Sequence, residues 1–68
     1  MRFMVVVYDV DGKEVFSSDA EYSRDQALGL LDELLPIARE TPPPGEKPFS
    51  RIEVQFGLRR HVATSVSL

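Results

Sequence analysis

The stretch Arg2-Phe3-Met4-Val5-Val6-Val7-Tyr8-Asp9-Val10-Asp11-Gly12-Lys13-Glu14-Val15-Phe16 decides the fold. Its first half is β-branched and aromatic, which reads as a strand. Asp11-Gly12 then gives a hairpin signal. It is either a two-residue turn, or the end of a three-residue loop Val10-Asp11-Gly12 with Gly12 in the left-handed region. Lys13 to Ser18 forms the return strand.

Downstream, Ser23 followed by Gln26 fits a capping box. Ala27, Leu30, Leu31, Leu34 and Ala38 fall on one helical face, widened by Leu28 and Leu35. Pro36 lacks the N–H for the bond back to Asp32, so the helix should stop or kink there, with a final turn through Ile37 to Arg39 possible. The Pro-rich segment 41–50 reads as a stiff, extended polyproline connector. Ile52, Val54 and Phe56 alternate with Arg51, Glu53 and Gln55, as in a half-buried strand. Val62, Thr64, Val66 and Leu68 alternate likewise with His61, Ala63, Ser65 and Ser67.

The order is therefore ββαββ: an α+β fold, with a four-stranded sheet and one helix on one face. Residues 1–68 are read as a single domain. The tight hairpin, with its loop Asp9-Val10-Asp11-Gly12-Lys13, followed by helix, proline-bearing turn and two strands, resembles the β-grasp arrangement of ubiquitin-like domains. A plain antiparallel ββαββ sheet is the competing topology.

The first strand is apolar at both its odd positions (Phe3, Val5, Val7) and its even ones (Met4, Val6, Tyr8, Val10). Successive strand side chains point to opposite faces, and one helix covers only one face. The second face is expected to present a bare apolar patch, and such patches mark interfaces. The expected protein interface is Phe3, Met4, Val5, Val6, Val7 and Tyr8, joined by Val15 or Phe16. The competing expectation folds segment 41–50 over that face, using Phe49 and the prolines.

Composition narrows the function classes. A chain of 68 residues is marginally stable alone, and with no cysteine and one histidine it has neither disulfides nor a thiolate or His-cluster metal site. Association is the remaining support. A formal net charge of −3 runs against generic nucleic-acid binding. No phosphate loop, nucleophile elbow or calcium loop is present, so no catalytic residue, cofactor or metal is assigned. Arg59, Arg60 and His61 form a small basic patch that could contact phosphate. No apolar run approaches the ~20 residues of a membrane span. Without cysteines or a readable signal peptide, the expected location is the cytoplasm of a bacterium or of an infected host cell.

The expected function is a non-catalytic protein-binding domain, either a small inhibitor of the phage anti-defence or antitoxin type, or a homodimer. The alternative is a single-stranded nucleic-acid-binding module. Phe3, Tyr8, Phe16 or Phe56 would stack on bases, and Arg51, Arg59 and Arg60 would contact phosphates.

Overall fold

The computed structural model describes residues 1–19 and 21–68. Along the chain lie β1 (Phe3–Asp9), β2 (Glu14–Ser17), α1 (Arg24–Ala38), β3 (Phe49–Phe56) and β4 (His61–Ser67). The strands form one sheet in the order β2-β1-β3-β4. All three pairings are antiparallel, so the fold is the antiparallel α+β form and the β-grasp likeness is approximate.

The first hairpin takes the three-residue loop. Gly12 donates to the Asp9 carbonyl (3.0 Å), Asp9 donates to the Lys13 carbonyl (2.9 Å), and Gly12 has φ +80°. A residue without Cβ takes that φ at no steric cost. The Asp9 carboxylate accepts from the backbone N–H of Asp11 and of Lys13, both at 2.9 Å. Asp9 thereby organises the turn from a buried position.

The helix starts where the capping box places it, with both reciprocal Ser23–Gln26 bonds formed. It runs through Pro36 to Ala38, so the final turn forms. Pro36 is exposed, so its ring stands away from the sheet.

The polyproline expectation for 41–50 is corrected. The Glu46 N–H donates to the Pro43 carbonyl (3.1 Å) and Gly45 has φ +88°. Proline at the first central position and glycine at the second are the chemistry of a type II turn. The segment doubles back instead of crossing in one stride, and β3 has already begun at Phe49.

The core lies between helix and sheet. Val5, Val7, Ile52 and Val54 meet Ala27, Leu31 and Ala38, with Phe3, Tyr22, Leu28, Leu30, Leu34, Leu35 and Val66 packed around them. Cross-strand pairing explains the set, because Val5 opposes Val54 and Val7 opposes Ile52 on one face. The odd positions of β1 therefore face the helix. The even positions Met4, Val6 and Tyr8 oppose Gln55, Glu53 and Arg51 on the other face.

Register also corrects the last strand. A bulge shifts the β3–β4 pairing between Val54 and Gln55, so Thr64 opposes Val54 but Val62 opposes Gln55. Val62 moves to the outer face and is exposed. His61 comes to oppose Phe56, and their rings lie 5.6 Å apart. One extra residue in a strand reverses which face the following side chains occupy.

Candidate functional site: an apolar groove and a polar face

The outer face of the sheet is not a bare apolar patch. Arg51 stacks its guanidinium 3.9 Å above the Tyr8 ring and donates from Nε to Glu53 Oε2 at 2.9 Å. Gln55 Nε2 donates to the Tyr8 hydroxyl and to Glu53 Oε1, both at 2.9 Å, and Gln55 Oε1 accepts from Arg60 Nε at 2.8 Å. Arg60 continues across the sheet to Glu14 on β2, at 2.8 Å. Its bond to Glu14 raises the Arg60 guanidinium pKa further above an already high value. Its charge is therefore constant at any physiological pH.

Val6 has no exposed surface (0%), although it points away from the helix. Its cross-strand neighbours are Glu53 on β3 and Ser17 on β2, and the network from Glu14 to Arg51 spans both flanks. Long polar side chains cover apolar surface with their stems while their tips pair with one another. Among the described residues, no buried side-chain nitrogen or oxygen lacks a partner.

The expected interface residues therefore separate. Val5 and Val7 are core, Phe3 packs beside them, and Val6 is covered by the network. Met4 and Tyr8 are half-buried. Val5 and Val6 have no exposed surface to offer a partner, and the premise of an open apolar second face is corrected. Segment 41–50 does not cover that face either, since Phe49 and the prolines line cavities with Ile37 of the helix.

Val15 and Phe16 are exposed. They line a groove with Val7, Leu34, Ile37, Ala38 and Phe49, of about 180 Å³. Phe16 opposes Val7, which brings it to the helix side of the sheet. The C-terminal half of α1 supplies Leu34 and Ile37. Phe49 enters from the start of β3, held in place where Val10 donates to the Pro48 carbonyl (3.1 Å) and Ser50 Oγ to the Asp9 carbonyl (2.8 Å). A second, adjoining cavity shares Ile37 and Phe49 and adds Glu40 and Glu46 at the rim. Lys47, also on that rim, is paired with Asp11.

The basic patch Arg59-Arg60-His61 does not act as a unit. Arg60 is committed to Gln55 and Glu14, and His61 lies against Phe56. Three of the four aromatic residues offered for base stacking are similarly engaged, Tyr8 beneath Arg51 and Phe56 between Phe3 and His61, whereas Phe16 is exposed. Sequence reasoning missed Ile37, Leu34 and Phe49 as groove residues. No group of three or more His, Cys, Asp or Glu able to hold a metal lies together among the described residues, and no helix is long and apolar enough to cross a membrane. The chain matches no protein-family model, and neither a curated protein nor a solved structure matches it.

Proposed function

We propose that this chain is a non-catalytic protein-binding domain whose docking site is the groove between β2 and the C-terminal half of α1. The observation that carries the reading is that Val15, Phe16, Ile37 and Phe49, from three separate elements, are exposed around one cavity. Exposed apolar side chains gathered this way mark an interaction site more often than isolated ones do. The cavity, about 180 Å³, lies below the roughly 300–1,000 Å³ of small-molecule sites. Its size suits protein side chains.

The charge beside the groove favours a basic partner. Glu40 and Glu46 line the adjoining cavity that shares Ile37 and Phe49, Lys47 is paired with Asp11, and the whole chain carries −3. The occupant is a segment of another protein with apolar anchors flanked by basic residues. In its narrower form, the chain is a small inhibitor of that protein, of the antitoxin or phage anti-defence type.

The test is affinity capture followed by reconstitution of the purified pair. A partner retained by the wild type should be lost by Phe16→Ser and by Ile37→Glu, each weakening the reconstituted complex at least about tenfold, the loss of ~1.4 kcal/mol. Arg59→Ala, distant from the groove, should bind as wild type does. Capture that persists in both groove variants, or no partner at all, refutes the reading. The nucleic-acid alternative has less support, because Tyr8, Phe56, Arg51 and Arg60 are engaged within the sheet, which leaves it Phe16 and Arg59.

A further inference from the structure

The sheet ends in two edges, and they differ in how they are protected. β2 has four residues, carries Glu14 tied to Arg60, and leads into a segment where Ser18 and Tyr22 bond back to β1. β4 has seven residues and contains neither a proline nor an Asp, Glu, Lys or Arg. Natural sheets blunt their edges with short strands, charges and prolines, and β4 uses none of these. Its one irregularity is the bulge near Val62.

The backbone phase of β4 follows from one bond. Leu68 N–H donates to the Ser50 carbonyl at 3.0 Å. Antiparallel pairs alternate between bonded and non-bonded, so Val66 with Ile52 and Thr64 with Val54 bond inward. Ser65 and Ser67 then turn both their N–H and their C=O outward. The helix packs on β1 and β3 and does not lie over β4, whose Val66 reaches only the border of the core. Leu34 and Ile37 mark the β2 side of the helix. At 100° per residue, half-buried Leu28 and Leu35 lie on the opposite flank, towards β4.

We propose that β4 pairs antiparallel with β4 of a second copy, about a two-fold axis at Ser65. In that register Ser65 meets its own counterpart, Thr64 meets Val66, and Ala63 meets Ser67. A two-fold interface requires a self-complementary surface, and this strand opposes small, uncharged side chains without bringing like charges together. A charged foreign strand finds no ionic partner on it. The two sheets become one of eight strands. With strands ~4.8 Å apart and each helix between β1 and β3, the helix axes stand about 19 Å from each other, roughly twice the 8–10 Å of packed helices. The helices do not touch, and the contact rests on the backbone ladder and the strand side chains. Interfaces below roughly 1,200 Å² belong to transient association, so the dimer dissociates on dilution. The proposal uses the edge opposite the groove, so it stands or falls independently of the docking site above.

Sedimentation equilibrium from low micromolar to millimolar concentration tests it. Proline is tolerated on an edge strand where the N–H faces solvent, as it does at Ser65. Ser65→Pro and Ser65→Lys should both keep the wild-type circular dichroism and stay at monomer mass. The wild type should rise toward twice that mass. If Ser65→Pro does not fold, Ser65→Lys carries the test alone. A wild type that stays monomeric to millimolar concentration, or a dimer unaffected in the folded variants, overturns the proposal.

Discussion

The two faces of this sheet both bury valine, by different means. On the helix side, Val5, Val7, Ile52 and Val54 meet other apolar side chains. On the outer side, Val6 is equally inaccessible, yet its cross-strand neighbours are Glu53 and Ser17, within the polar network. The first face is held by close packing, where each lost methylene also leaves a cavity. The second is held by a chain of hydrogen bonds whose members satisfy one another. Its weakness is the loss of one member, which strands the rest. A sheet with a single helix can thus be apolar on both sides of its central strand without exposing an apolar face.

Substitutions at Ile52, Gln55 and Arg60 can break or sharpen this contrast. The largest effect is expected for Ile52→Ala on the packed face, fully buried at 0% exposure. It should cost roughly 2–5 kcal/mol, read from urea denaturation, and could leave so small a domain largely unfolded. A loss no greater than that of Val6→Ala would erase the distinction between the faces. Gln55→Ala comes second, because it removes both donors and the acceptor that join Tyr8, Glu53 and Arg60. Leaving the nearly buried Glu53 with Arg51 alone should cost roughly 1–3 kcal/mol in the same measurement. No change in midpoint would mean the network is decoration over Val6.

The smallest effect concerns Arg60, a non-glycine residue at φ +53°. Arg60→Ala loses the tether and keeps the unfavourable backbone, while Arg60→Gly loses the tether and relieves it. Both should destabilise, with glycine better than alanine by up to about 1 kcal/mol. Alanine equal to or better than glycine would show that the backbone there carries no strain.

Much of the fold was legible because its signals are local. Ser23 with Gln26, Gly12 after Asp11, and the alternation of Ile52 and Val54 each determine a turn, a cap or a face within a few residues. What could not be read depends on register. Arg51, Glu53 and Gln55 were recognisable as a polar stripe, but that they oppose Tyr8, Val6 and Met4 follows only from how β1 and β3 align. The bulge beside Val54 likewise moved Val62 and His61 to unexpected faces, because the alternation pattern has no mark for one inserted residue. In the groove, Val15 or Phe16 was expected on the face away from the helix, yet both are exposed and Phe16 lies on the helix side, while their neighbours Leu34, Ile37 and Phe49 are set by where the helix crosses and where β3 begins.

The turn at Pro43–Glu46 lies in the connection from α1 to β3, and the chain just beyond it is fastened to the first hairpin, by Lys47 to Asp11 and by Val10 to Pro48. Added chain at exposed Gly45 lengthens a loop that is anchored on either side. Each doubling of a flexible loop costs only about 0.6 kcal/mol. That tip is therefore the point where a peptide tag or a reporter can be spliced into the molecule while the sheet on either side keeps its register.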